Sequence, residues 1–220
     1  MKKLHQINRW IIVLILIFIF GLALTNLLSF PIDEKQINFA LLDRKSSPED
    51  LPPDLPDFLF DSQAEMVLYH PQKMWLNEEG AVKVNINVPG INHEQTASLS
   101  EKYNYYYEVR MNLELVELLS GDTIFAPIRR GQQSQFHWDI APLQSGNVTG
   151  NIWIYVHITD SAASRQWQIT RFALPLRIQV VDILGLSLRN LRMLLILGLL
   201  LSVFLLMGLN LLGLLRKKSG

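Results

Sequence analysis

The chain contains no cysteine, which excludes a disulfide framework, a thiol nucleophile and a thiolate metal site. The short motifs that carry most recognisable chemistry are also missing. No G-x-S-x-G, H-E-x-x-H, phosphate-binding loop or dinucleotide fingerprint occurs in the sequence. Acidic residues are absent from both ends: all 20 lie between Asp33 and Asp182, a region holding only 12 of the 20 Lys and Arg. The middle therefore carries a net −8 and repels phosphate, so no nucleic-acid partner is expected. A pooled composition of 49% hydrophobic residues and zero net charge would describe an ordinary soluble domain and hides this segregation. No internal repeat is present.

What the chain does have is two long hydrophobic runs. Met193–Leu215 carries no formal charge, and its 23 residues reach ~35 Å as a helix at ~1.5 Å per residue. A bilayer's hydrocarbon core is ~30 Å thick, so the run can span with some tilt, and Arg216, Lys217 and Lys218 stop it. A buried core helix is the alternative. It would need a domain able to surround a helix apolar on every side, with only Ser202 and Asn210 polar, and this chain is too short for that.

The second run, Trp10–Leu28, follows Lys2, Lys3 and Arg9. It fits a signal peptide by its basic leader and small Ala23. It fits an uncleaved anchor by its length and by the lack of an A-x-A site after it. The anchor is the expectation, with 10–29 as a first transmembrane helix and the signal peptide as alternative. Basic residues flank both sides of each span, with Lys35, Arg44, Lys45, Arg189 and Arg192 on the loop side. Long segments translocate largely regardless of charge, so the basic leader decides. The expected topology is a two-pass cell-membrane protein, N-in and C-in, with the central domain extracytoplasmic.

Between the spans, Ser46–Asp57 holds four prolines and four acids in twelve residues. Proline removes backbone donors and favours extended geometry. Residues 30–63 are therefore predicted as an acidic, Pro-rich linker that acts as a stalk. From 64 to 181 the hydrophobic period is two, which marks half-buried strands. Val82, Val84, Ile86 and Val88 alternate with polar residues, as do Tyr105–Leu115, Phe136–Ile140 and Ile152–Ile158 on their odd or even positions. Turn signals lie at Pro89-Gly90, Ser120-Gly121-Asp122, Ser145-Gly146-Asn147 and Asp160-Ser161.

With strands near Met66–His70, Ile124–Ala126 and Gln166–Val180, about seven are predicted. That number in so short a domain implies two packed antiparallel sheets, an immunoglobulin-like β-sandwich. In the last strand Trp167 and Ile169 are apolar on odd positions, but Phe172, Leu174, Leu176, Ile178 and Val180 on even ones. A bulge near Thr170–Arg171 keeps both runs inward, and Pro175 marks an edge. Residues 182–192, with Ile183, Leu184, Leu186, Leu188 and Leu191 against Asp182, Arg189 and Arg192, are predicted as a juxtamembrane amphipathic helix. Tails 1–9 and 216–220 are expected in the cytoplasm.

The stretch Phe136-His-Trp138-Asp-Ile140-Ala-Pro142-Leu-Gln-Ser-Gly146 resembles the F-x-W-x-[IV]-x-P-x-x-x-G strand–turn–strand of immunoglobulin-like domains in bacterial membrane-anchored proteins. It covers about 20 residues and is a packing signature. It implies a fold class and an accessory role, and it brings no catalytic residue.

For chemistry, His137 and Asp139 share the outward face of one strand, and His157 the outward face of the next. If those strands pair as a hairpin, a two-His, one-carboxylate site is conceivable. A plain polar surface is the preferred reading, so no metal, cofactor or catalytic residue is assigned. Outward Tyr106, Trp153 and Tyr155 suit a partner-binding face, since Tyr and Trp bury large area with a polar tip. Within the second span, Gly198 and Ser202 form a small-xxx-small pair. Asn210 is an amide in hydrocarbon with no evident counterpart in the first span, where Asn26 lies at the other end. All three are assigned to association with a protein partner or a second copy.

The function expected is a non-enzymatic, membrane-anchored envelope protein, an accessory subunit whose sandwich binds a protein. A sensor or solute-binding receptor signalling through a partner is the alternative.

Overall fold

The computed structural model describes residues 2–28, 30–43, 51–90, 102–162, 165–183 and 185–218. It divides into a helical unit, Met1–Ser29 with Asp182–Gly220, and a β unit, Phe30–Val181.

Among the described residues the β unit holds ten strands: β1 (Ile32–Ala40), β2 (Gln63–Pro71), β3 (Lys73–Trp75), β4 (Gly80–Asn87), β5 (Tyr103–Leu113), β6 (Val116–Leu118), β7 (Thr123–Pro127), β8 (Gln133–Pro142), β9 (Gly146–Asp160) and β10 (Gln166–Val181). They form two five-stranded sheets, ordered β1-β2-β4-β8-β6 and β3-β10-β9-β5-β7. Every pairing is antiparallel except β3 with β10. One apolar cluster fills the space between the sheets. Val82, Val84 and Ile86 meet Tyr107, Val109, Met111, Phe136, Trp138, Ile152, Ile154 and Val156 there, all at most 1% exposed. Alternation along each strand is what sends these side chains to one face. Burial drives the Tyr107 phenol well above its usual range.

The seven strands read from periodicity all form, and β1, β3 and β6 add to them. The register between β10 and β9 slips between Thr170 and Phe172, with Ile169 on one side and Leu174 on the other both buried. The expected bulge is therefore present. Among the described residues β3 meets β10 only at Gln179–Val181, and none pairs with β10 on that side at Pro175.

The linker predicted over 30–63 is corrected. Its first part is β1, paired with β2 along all nine residues from Ile32↔Pro71 to Ala40↔Gln63. Leu41, Leu42 and Leu59 are completely buried, Leu55 and Phe58 nearly so, and the Leu42 N–H donates to the Leu59 carbonyl at 2.7 Å. The prolines do break regular structure, but leucine and phenylalanine stand between them and close the end of the core. A single helical turn, Phe58–Asp61, completes it. Lys102 and then Tyr103 donate to Asp54, holding its carboxyl below the usual range and tying this segment to β5. Residues 44–50, with Arg44, Lys45 and the start of the Pro-rich stretch, lie outside the described residues.

The helical unit consists of a helix over Lys2–Leu27 and another over Leu188–Lys218. Segments Ile7–Thr25 and Leu188–Leu211 are long and apolar enough to cross a membrane. The two run antiparallel. The Asn8 Nδ2 donates to Asn210 Oδ1 at 3.1 Å, Phe18 lies on Gly198, Gly21 lies under Leu195, and Arg192 Nη2 donates to the Thr25 carbonyl at 3.0 Å.

The amphipathic helix predicted over 182–192 is also corrected. Gly185, at φ +74°, donates its N–H to Asp182 Oδ1, and Ile183 and Leu186 exchange backbone bonds, so the chain turns here instead of starting a helix. Ser187 Oγ then accepts from the Asn190 N–H at 3.2 Å and caps the helix that continues into the span. Gly185 and Ser187 are turn and cap signals that the apolar spacing concealed. Leu184 lies outside the described residues.

Candidate functional site

The register of the second sheet assembles its outer face row by row. Tyr106 on β5 stands opposite His157 on β9, which stands opposite Gln168 on β10. One row along, Phe125 on β7 faces Glu108, which faces Tyr155 and then Thr170. In the third row Arg110 faces Trp153. Tyr106, Trp153 and Tyr155, the three aromatics expected outward, thus lie on one continuous surface. Cross-strand neighbours in such rows are ~5 Å apart, close enough for side chains to interlock.

Beneath this surface lies a polar pair. Glu108 and His157 are each only 4% exposed although they point away from the core. His157 Nε2 donates to Glu108 Oε2 at 2.6 Å, and Arg110 Nη2 donates to Glu108 Oε1 at 2.8 Å. Gln166 Nε2 lies 2.9 Å from His157 Nδ1 and donates to the Tyr106 hydroxyl at 2.7 Å. The network assigns the ring proton to Nε2, because a carboxylate can only accept. Tyr106 stacks on His157 at 4.7 Å with 7° between the planes, and Phe125 meets both rings edge-on. Trp153 and Tyr155 lie near-parallel at 6.5 Å, with the Arg110 guanidinium 5.9 Å from the Tyr155 ring centre.

A buried polar group is tolerated only when bonded. Here each carboxylate oxygen and each ring nitrogen has a partner, so the cluster is rigid and closed. The half-buried Tyr106, Trp153 and Tyr155 are therefore held by locked neighbours rather than by their own rotamers. Phe125 stays 59% exposed, and beside it a shallow groove of about 280 Å³ runs along Asn104, Tyr106, Ala126 and Pro127.

Glu108, His157, Arg110, Phe125 and Gln166 were not singled out from the sequence as parts of one cluster. Alternation marks Glu108, Arg110 and His157 as outward, but only the β5–β9 register puts them together. The hairpin considered for His137, Asp139 and His157 does not form. β8 and β9 belong to different sheets, so His137 and His157 lie on opposite outer faces of the sandwich. His137 Nε2 meets Asp139 Oδ1 at 2.9 Å on an exposed surface, and no group of three metal-ligating side chains occurs among the described residues. His93 lies outside the described residues.

The residues assigned to association in the second span all have uses inside the chain. A Cβ on Gly198 would come within 2.4 Å of the Phe18 ring, so the missing side chain admits that ring. Ser202, 5% exposed, donates to the Gly198 carbonyl at 2.8 Å. Asn210 accepts from Asn8, the counterpart the sequence did not reveal, because Asn8 sits in the polar leader outside the apolar run. These contacts remove the argument for an intermolecular bond at Asn210.

Gly198→Ile is expected to force the helices apart and to lower hairpin stability by about 1–3 kcal/mol, as overpacking does. The cysteine-free chain gives a clean background for the measurement. An Asn8→Cys, Asn210→Cys pair should form an intrachain disulfide, and Gly198→Ile should sharply reduce its yield.

No protein-family model and no curated protein matches the chain. Among solved structures, native E. coli alpha-2-macroglobulin is similar at 13% identity and TM-score 0.33, over 55% of this chain and 8% of that one. PapD-like domain 7 of human CEP192 is similar at 11% identity and TM-score 0.31, over 62% and 93%. AggA, the major subunit of E. coli aggregative adherence fimbriae type I, is similar at 8% identity and TM-score 0.28, over 55% and 94%. Likeness of this degree transfers no activity or partner.

Proposed function

We propose that the chain is a non-enzymatic, two-pass envelope protein of a bacterial cell membrane, whose immunoglobulin-like sandwich docks a protein partner as an accessory subunit. One observation carries this reading: Tyr106, Phe125, Trp153, Tyr155 and Arg110 share one outer sheet face above the closed Glu108–His157 network. Tyr, Trp and Arg are the residues that dominate binding energy at interfaces. Side chains already locked by neighbours lose little entropy on docking, which favours affinity. The polar groups of the network are all bonded to one another, an arrangement suited to holding a surface rather than to turning over a substrate.

The test is co-purification in mild detergent. A bound protein should be retained by wild type and by an Asn85→Ala control, and be lost about tenfold or more on Trp153→Ala with Tyr155→Ala. Equal retention by all three would remove the aromatic face as a docking surface. The groove beside Phe125 favours the receptor reading instead, and thermal stabilisation by a small solute that fails in Phe125→Ala would select it.

For orientation, the antiparallel helix pair brings both ends of the hairpin to one side, and the basic leader supports a cytoplasmic position for that side. Asp122→Cys, in an exposed turn, should react with an impermeant maleimide added outside intact spheroplasts. Protection until lysis would reverse the topology.

A further inference from the structure

We propose that the outer face of the first sheet binds a glycan built from N-acetylated amino sugars. That face is on the opposite side of the sandwich from the aromatic surface. Two of its rows read Asn38–Glu65–Asn87–Gln133 and Gln36–Val67–Asn85–Gln135 across β1, β2, β4 and β8. Six of these eight side chains are amides. Solvated sheet faces ordinarily rely on Lys, Glu and Thr, and asparagine is depleted from strands because it does not suit a pleated surface. Three asparagines within strands of one face break that local rule, and such breaks concentrate where a surface has a task.

The rows end in a pocket of about 280 Å³ lined by Glu65, Val67, Asn85, Asn87, Gly131 and Gln133. Its rim is the turn at Gly131, whose φ of +68° and N–H bond to the Val88 carbonyl at 2.8 Å fold the loop over the ends of β4 and β8. Gln36 Nε2 donates to Glu65 Oε1 at 2.6 Å, which fixes the carboxylate.

The chemistry of this lining selects the ligand. An amide offers both a donor and an acceptor, as a sugar hydroxyl does, so neighbouring amides ~5 Å apart can bridge vicinal hydroxyls. An acetamido group presents one N–H, one carbonyl and one methyl. Glu65 accepts the N–H, Asn85 or Gln133 donates to the carbonyl, and Val67 supplies the apolar patch for the methyl. A phosphorylated ligand would need cations, and the pocket lining has none. Tyr69, one row further on β2 and half-buried, offers a ring on which the next sugar can stack.

The probe is chitotetraose, titrated calorimetrically against the full chain in lipid nanodiscs, since sugar-headed detergents would compete. Saturable binding is expected, with maltotetraose weaker by about tenfold or more because it lacks the acetamido group. Asn85→Ala with Gln133→Ala should weaken chitotetraose by about tenfold, and Trp153→Ala on the other face should not. Glu65→Gln, isosteric and safe for folding, should weaken it about threefold or more by removing the anionic acceptor. Absence of saturable heat with ~10 mM chitotetraose overturns the proposal. Equal affinity for the two sugars, or binding untouched by Glu65→Gln and the double variant, overturns it as well. Because Trp153→Ala is silent here, failure of this site leaves the protein-docking reading to its own test.

Discussion

Trp138→Ala is expected to destabilise the sandwich by about 3–5 kcal/mol, the range for removing a large buried aromatic. Trp138 is completely buried in β8, opposite Val82 on β4, and lies near-parallel to Phe136 at 6.4 Å with 16° between the planes. Tyr107 reaches the same Phe136 edge-on from the other sheet, so the indole belongs to the layer that joins the two sheets. Close packing of this kind relaxes only partly around a cavity, and the lost contacts add to the lost transfer energy. The indole Nε1 has no hydrogen-bond partner among the described residues. Trp138→Phe therefore removes volume but no bond, and should cost about 1–2 kcal/mol. Urea unfolding of the full chain in detergent, followed by near-ultraviolet circular dichroism, separates the two. A loss under ~1 kcal/mol for Trp138→Ala would mean the residue does not hold the sheets together.

The same alternation that puts Trp138 inside explains which parts of the fold could be read in advance. β2, β4, β5, β8, β9 and β10 each show one apolar face, and a period of two leaves little choice for them. The bulge at Thr170–Phe172 was legible because the apolar positions change parity there. β1 was hidden because an edge strand need not be apolar. Asp33, Glu34 and Lys35 are the charges that protect an exposed edge from pairing with another chain. β3 and β6 are three residues each, too short for a period to show. Residues 51–63 look like a linker in the sequence because their prolines end regular structure, while the leucines between them are buried only by tertiary packing.

The candidate surface was legible in part for a related reason. Alternation identifies Tyr106, Trp153 and Tyr155 as outward on β5 and β9, but it does not say that β5 pairs with β9. A sequence order of β5, β6, β7, β8, β9 suggests β8 as the partner of β9. The chain instead crosses to the other sheet between β9 and its sequence neighbour. The Asn8–Asn210 bond was hidden similarly, because the apolar run starts at Trp10 while the helix itself begins at Lys2.

The buried network under the aromatic face supplies the second large effect. His157→Leu is expected to cost about 2 kcal/mol, toward the low end of what removing a hydrogen-bond donor from a buried carboxylate costs. The low end applies because Arg110 keeps its bond to Glu108 Oε1 when His157 is gone. Oε2 then retains only Gln168, at 3.4 Å, and a carboxylate oxygen held in a buried site without a short donor is expensive. The histidine ring also supports Tyr106 by stacking, so its loss loosens the exposed surface directly. Removing both polar partners, His157→Leu with Glu108→Leu, should recover most of the stability, since an apolar pair of similar volume leaves no buried charge unpaired. A thermodynamic cycle through the two single variants and the double measures the coupling. Additive losses, with the double variant worse than either single one, would show that the pair does not act as a unit. Stability recovered in the double variant while partner co-purification stays low would show that the network serves to hold Tyr106 and its neighbours in place for docking.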